Sequence, residues 1–305
     1  MNNLNSPAAV GLSNPAITEP VQPQGAPTGV GFGRVGTEGD QSEFLSHQGI
    51  DRLQQASSHQ QGYRANNRRV VTVSTDGSAK IYNRQADGSL AKEATITTAD
   101  HVNSATLSDD GLHLVTVGDN HIARIHDLES DGTWVVKAII SHCEPITSAT
   151  FSTDSRHLVT VSDDNTAKVF GQETDGSWSL KARICHDDKI RSVTFSADNR
   201  HVLTASDDHT SKVFGEMADG SWLEKTIICH NDMVGSATFS ADDMHVVTAS
   251  DDHTAKVYVK VADGSWIEKT IIHHNGPVKS VAFIDDGRRL VTSSQDGTAQ
   301  VTELD

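Results

Sequence analysis

Short segments in which apolar and polar residues alternate recur along this chain at a fixed spacing. One runs from Ile190 to Ser196, and Val234 to Ser240 repeats it 44 residues later. Alternation of this kind predicts half-buried strands, because successive side chains on a strand point to opposite faces. After Ile190 to Ser196 comes an Ala-Asp-Asn-Arg turn, then His201 to Ser206, rich in β-branched and small residues. The S-D-D-H-T turn leads into a third strand, Ser211 to Phe214. Asp219, Gly220, Ser221 and Trp222 form a D-G-S-W element, and Asp-Gly between apolar segments is a strong hairpin signal. A fourth strand runs from Trp222 to Cys229. No segment keeps helical spacing over a useful length.

The unit is 44 residues long, with its register marked by Ser104, Ser148, Ser192, Ser236 and Ser280. Six such units fit between about Ser42 and Asp305, so the 305 residues divide into a tail, 1–41, and an array, 42–305. Four antiparallel strands in about 40 to 45 residues make one blade of a propeller, and radial packing hides most sheet edges. The expected fold is therefore all-β, a β-propeller of about six four-stranded blades. The last unit supplies only Val278 to Ile284, Arg289 to Ser294 and Thr298 to Leu304 before the chain ends. Its missing strand is expected from the N-terminal side, within residues 43–55, closing the ring. The first unit starts poorly over Ser57 to Arg64, but Val70 to Ser74 and Ala79 to Tyr82 fit the repeat.

Composition narrows the function classes. Asp and Glu outnumber Lys and Arg by 41 to 25, a net charge of -16 that repels phosphate backbones and anionic membrane surfaces. Nucleic-acid and membrane partners are therefore not expected. Cys143, Cys185 and Cys229 give an odd count without paired spacing, which points to a reduced, cytoplasmic setting. No basic segment followed by an apolar stretch marks a cleaved export signal. Residues 1–41 hold five of the seven prolines and are rich in Gly, Asn, Ser and Gln, so a disordered tail is expected.

The repeat residues resemble the WD-repeat (β-transducin-like) propeller family. His186, Phe195, Ser196, Asp198, Thr204, Ser206, Asp208, Thr210 and Val213 match its pattern in the fourth unit. His142, Phe151, Asp154, Ser162, Asp164 and Thr166 match in the third, and His230, Phe239, Asp242, Ser250, Asp252 and Thr254 in the fifth. In the last unit the matches are His274, Phe283, Asp286, Gly287, Asp296 and Thr298. The likeness covers residues 58–305. The family's closing Trp-Asp is missing throughout, replaced by Tyr82-Asn83, His126-Asp127, Phe170-Gly171, Phe214-Gly215, Tyr258-Val259 and Thr302-Glu303. The resemblance implies a buried network of His, Ser or Thr, Asp and Trp. Phe has no N–H to donate, so the network should be shorter here. The expected structural pairs are His142 with Asp164, His186 with Asp208, His230 with Asp252 and His274 with Asp296, or the same residues shifted by one blade.

Sixteen histidines invite a catalytic or metal reading. A second set, His113, His157, His201 and His245, recurs with the same period, and regular recurrence is what a structural role predicts. Cys185-His186 and Cys229-His230 are adjacent pairs that point to opposite faces of a strand, which is poor geometry for one metal ion. The doubled acids at Asp163, Asp207 and Asp251 lack calcium-loop spacing and read as turns. No metal, cofactor or enzymatic activity is expected.

Binding positions should differ between units while core positions stay fixed. The residues that vary are Asn103, Thr147, Arg191, Gly235 and Lys279 on the first strand, and the loops around Lys189 and Met233. The resemblance implies that these loops lie on the narrow face around the channel. Asn103, Lys189, Arg191, Met233 and Lys279 are the candidate binding residues. The reading is a monomeric, non-enzymatic scaffold for a protein or peptide. One alternative is a type III secreted bacterial effector, exported to a host cell without a cleaved signal peptide and serving there as an interaction platform. It rests on the tail's composition. Another is a propeller hydrolase or lyase using acids at the channel mouth, with Asp187, Asp188 and Asp232 to supply them.

Overall fold

A computed structural model describes residues 68–304. The predicted tail, the export reading attached to it and the closing segment at 43–55 all lie outside the described residues. The first sheet holds β1 (Arg69–Val73), β2 (Ala79–Arg84) and β3 (Leu90–Ile96). The second holds β4 (Val102–Leu107), β5 (His113–Gly118), β6 (Ile122–Leu128) and β7 (Trp134–Ser141). The third is β8 (Ile146–Phe151), β9 (His157–Ser162), β10 (Thr166–Gln172) and β11 (Trp178–Cys185). The fourth is β12 (Ile190–Phe195), β13 (His201–Ser206), β14 (Thr210–Glu216) and β15 (Trp222–Cys229). The fifth is β16 (Val234–Phe239), β17 (His245–Ser250), β18 (Thr254–Lys260) and β19 (Trp266–His273). The last has three strands, β20 (Val278–Ile284), β21 (Arg289–Ser294) and β22 (Ala299–Glu303). Every pairing is antiparallel between strands consecutive in the chain, so each four-stranded sheet is a meander like a propeller blade. The only helical turn among the described residues is Asp285–Gly287, and none of their helices is long and apolar enough to cross a membrane.

The hydrophobic core lies between consecutive sheets. Val159, Val161, Val169 and Ile184 of the third sheet pack on Ile190 and Val202 of the fourth. Leu203, Val213 and Ile228 of the fourth pack on Val234, Ala237 and Val246 of the fifth. The second strand of each four-stranded sheet is covered on both faces and is therefore almost wholly apolar or small, as in His201–Ser206. Outer strands have a free edge, which invites pairing with other chains. In the second to fifth sheets this strand carries a lysine at the same place, Lys137, Lys181, Lys225 and Lys269, and charge at an edge discourages that pairing.

Two features depart from simple alternation. The first strand of every sheet from the second onward has a register shift beside its second residue. It falls between Ile190 and Ser192 in β12, and between Val278 and Ser280 in β20. Arg191 and its equivalents are thus bulged out of the ladder. The apolar positions already carry this phase jump, since Ile190, Val193 and Phe195 step by three and then by two.

The second departure is a set of residues at positive φ, where the resembled family has glycine. Gly111 and Gly287 keep that residue, but Ser155 (φ 62), Asn199 (φ 60) and Asp243 (φ 58) do not. Asp and Asn tolerate this region better than most side chains, and here their side chains reach the preceding sheet. Asp243 accepts the N–H groups of Ala197 and Asp198, both at 2.7 Å. Asn199 Oδ1 accepts the Thr153 N–H at 2.9 Å. These contacts join neighbouring sheets by hydrogen bonds as well as by apolar packing.

Candidate functional site

Each repeated histidine that lies four residues before a first strand is held from two sides. His186 Nδ1 lies 2.8 Å from Asp208 Oδ2, and its Nε2 lies 2.8 Å from Thr204 Oγ1. His230 repeats this with Asp252 at 2.9 Å and Thr248 at 2.8 Å. His142 does so with Asp164 at 3.1 Å and Thr160 at 2.9 Å. In the last unit His274 Nδ1 meets Thr298 Oγ1 at 3.0 Å, and Thr298 donates to Asp296 at 2.6 Å, so the link runs through the hydroxyl. All the histidine contacts are made within one sheet rather than shifted by a blade. They end on threonine because no indole follows.

The protonation states follow from these contacts. Burial opposes the charge on Asp208. The Thr210 hydroxyl, the Asp187 N–H and His186 outweigh that and hold its pKa down to about 2. Burial lowers the pKa of His186 against the pull of Asp208. The imidazole is therefore neutral, with Nδ1–H donating to the carboxylate and Nε2 accepting from threonine. These groups are satisfied and lie away from solvent, with the His186 side chain fully buried. They stabilise the loop between sheets and offer no reactive atom.

The second histidine set has a different task, one that periodicity alone did not disclose. His113, His157 and His201 pack against the tryptophan that opens the outer strand of the next sheet. Ring centroids lie 5.3 Å apart for His113–Trp178, 5.3 Å for His157–Trp222 and 6.3 Å for His201–Trp266. The Trp of D-G-S-W thus supplies an aromatic contact between sheets in a chain without Trp-Asp. Only the second unit keeps the aspartate of that dipeptide. Asp127 lies 2.6 Å from His113 Nδ1 and accepts the Trp178 N–H at 3.4 Å. Gly171 and Gly215 occupy its place later, and the indole N–H groups of Trp222 and Trp266 are buried without a partner among the described residues.

His126 stands where the family has tryptophan, in a different place from either histidine series. Its Nε2 is 3.1 Å from Thr116 Oγ1. Burial and then the charge of Arg124 push its pKa down to about 4, against the pull of Asp127.

The candidate binding residues gather at one end of the sheets, where the bulged positions meet the second-to-third-strand turns. Asn103 Nδ2 donates to Asp119 at 2.5 Å. Arg191 grips Asp207 with two donors, its Nε at 2.7 Å, and this raises the guanidinium pKa further. Lys279 reaches into the neighbouring unit and pairs with Asp251 at 2.6 Å. Lys189 faces Asp163 at 3.5 Å. Three of the five candidates, Arg191, Met233 and Lys279, line one open recess of about 150 Å³. Asp207, Gly235, Asp251 and Val278 complete it. Asn103 and Lys189 are not among its lining residues.

In the sequence Asp207 and Asp251 read as turn residues only. The signal was present in the pairing of a varying first-strand position with the first acid of S-D-D. The acids considered for a hydrolytic centre lie on exposed loops. Asp188 and Asp232 accept the N–H groups of their own neighbours Lys189 and Met233, at 2.7 Å and 2.8 Å. Asp187 donates its N–H to Asp208. Such contacts shape turns, and the histidine next to Asp187, His186, is itself engaged by Asp208 and Thr204.

Comparisons with known proteins agree with this architecture. Residues 131–171, 178–214, 221–258 and 266–302, together half of the chain, match the family model described as WD domain, G-beta repeat. Among solved structures, a Lactobacillus plantarum protein aligns with a TM-score of 0.51 at 12% identity, covering 79% of each chain. Chaetomium thermophilum Sqt1, bound to the N-terminus of the ribosomal protein L10, aligns with a TM-score of 0.57 at 16% identity. That alignment covers 77% of this chain and 69% of that one. A second Sqt1 structure aligns with a TM-score of 0.57 at 17% identity, covering 78% and 66%. Identities this low are likenesses of fold. No curated protein matches the chain in sequence.

Proposed function

Starting from a chain that belongs to the WD-domain, G-beta-repeat family, we propose that it is a non-enzymatic scaffold that binds a protein or peptide. The contact face is the end of the sheets that carries the bulged first-strand residues. The observation that carries this reading is the convergence of Arg191, Met233 and Lys279 on one open recess. These are positions that change from unit to unit while the core beneath them repeats. A rigid stack of sheets holds many loops in fixed relation and so lowers the entropic cost of binding. The net charge of -16 disfavours nucleic acid as the partner. Sqt1, with the same fold, holds the N-terminus of a ribosomal protein, which supports an extended segment as the form of partner.

Affinity purification with the full chain and with the Arg191→Glu/Lys279→Glu double variant tests the proposal. The expected result is a protein recovered with the native chain and lost from the variant. An identical set recovered by both would place the contact face elsewhere.

A further inference from the structure

Resting on that reading, we infer that the recess receives an acidic side chain of the partner, a single carboxylate seated between Arg191 and Lys279. Exposure decides the sign. The Arg191 and Lys279 side chains are 50% and 49% exposed, whereas those of Asp207 and Asp251 are 9% and 24%. Each acid lies behind the cation it pairs with, so the recess presents positive groups outward. Arg191 spends its Nε and one terminal nitrogen on Asp207, leaving its other terminal nitrogen to donate. Lys279 spends one donor on Asp251 and keeps two. Charge-assisted hydrogen bonds from two such donors are the strong kind.

Gly235 makes the room. It occupies the bulged position that carries Arg191 one unit earlier and Lys279 one unit later, and a Cβ there would meet nothing within 4 Å. The absent side chain leaves a gap between the two cations. Met233 and Val278 line it, and they suit the methylenes of a glutamate rather than a fully polar group.

The surroundings limit the charge of the guest. Within the recess two cations are already matched by two acids. Asp187, Asp188 and Asp232 stand on the adjoining loops, exposed. A dianion is repelled by that acidic margin more than a carboxylate is, so a phosphorylated side chain is disfavoured. The same margin favours basic residues on either side of the inserted acid, and that pattern sets the register of the partner.

The test uses the full chain and four pools of short fluorescent peptides, random at the flanking positions. Glu, Gln, Lys or phosphoserine is fixed at the centre of each pool. The Glu pool is expected to bind roughly tenfold more tightly than the Gln pool, the worth of one good charge-assisted contact pair. The preference should vanish in Arg191→Ala/Lys279→Ala. It should also vanish in Gly235→Leu, which fills the gap but keeps both cations and whose backbone is not in the left-handed region. Circular dichroism melting checks that each variant is folded. Equal binding of all pools, a preference for Lys or phosphoserine, or a Glu preference that survives either variant would overturn the inference. So would the absence of binding by every pool. Peptides that bind without preferring Glu, and are lost in Arg191→Glu/Lys279→Glu, would overturn it while leaving the scaffold reading intact.

Discussion

His126 is an acid-sensitive point whose effect can be isolated. Its pKa in the folded protein is about 4, against an ordinary 6.5. Below pH 6.5 the unfolded chain takes up a proton that the folded chain refuses, so stability is full above that pH and falls as the pH drops. The loss levels off below about pH 4. Each pKa unit is worth about 1.4 kcal/mol, so at about pH 5 the single imidazole removes about 2 kcal/mol of stability, and about 3 kcal/mol at its limit. Other buried histidines shift the same way, His157, His201 and His230 among them. The whole protein therefore weakens in acid, and a substitution is needed to isolate one share. His126→Phe places there the residue that the third and fourth units use, Phe170 and Phe214. It also removes the Thr116 contact, at a pH-independent cost of about 1 kcal/mol. Urea denaturation at about pH 7.5 and about pH 5 gives four free energies. The expected outcome is a pH-dependent loss about 2 kcal/mol smaller in the variant than in the native chain. Parallel losses in the two proteins would refute the burial argument, as would a His126 NMR titration centred near its ordinary value.

Other substitutions test the joints between and within sheets. Asp208→Ala leaves the Asp187 N–H and His186 Nδ1–H without an acceptor and should destabilise by about 1 to 3 kcal/mol in urea denaturation. An unchanged midpoint would remove that role. Because the folded-state pKa of Asp208 is about 2, its contribution should be present above about pH 4 and disappear as the pH falls through 2. Asp243→Gly keeps the left-handed backbone but frees two N–H groups of the preceding sheet, lowering stability by about 1 to 2 kcal/mol. Asp243→Ala should lose about 1 kcal/mol more through backbone strain, and the reverse order would deny the conformational account. Trp178→Phe should destabilise more than Trp222→Phe, because the Trp178 N–H has Asp127 whereas the Trp222 N–H is buried unpaired. Equal melting temperatures for the two variants would show that the Asp127 contact contributes nothing.

The strands were legible because each unit repeats the same alternation between strong turns. The sequence places strands at 201–206, 222–229 and 289–294 with the ends seen in the structure. Ser211 to Phe214 proves longer, Thr210–Glu216, because turn residues continue the ladder. The histidine and aspartate spacing left contacts within a unit and contacts shifted by one blade both open, and the structure forms them within the unit, with 22 residues separating His186 from Asp208. What was not legible depends on contacts between units. The tryptophan of D-G-S-W looks like the start of an outer strand, and only packing puts it on the histidine of the sheet before. The pairing of Lys279 with Asp251 likewise crosses a unit boundary, over 28 residues, which no single repeat displays. The bulge was hidden for another reason. Reading Ile190 to Ser196 as plain alternation overlooks a step of three in the apolar positions.

That bulge separates two kinds of inheritance. A side chain in the ladder answers to its partners across the sheet, and a change there disturbs folding. A bulged side chain has no residue opposite it in the ladder, and its partners, such as Asp119 for Asn103 and Asp207 for Arg191, lie at the neighbouring turn. Asn103, Thr147, Arg191, Gly235 and Lys279 are an amide, a hydroxyl, a guanidinium, a hydrogen and an ammonium, all set on the same backbone step. Copying a unit therefore copies a stable sheet together with one freely replaceable group. A descendant chain acquires a new surface by changes at known intervals, with the strand ladder left untouched.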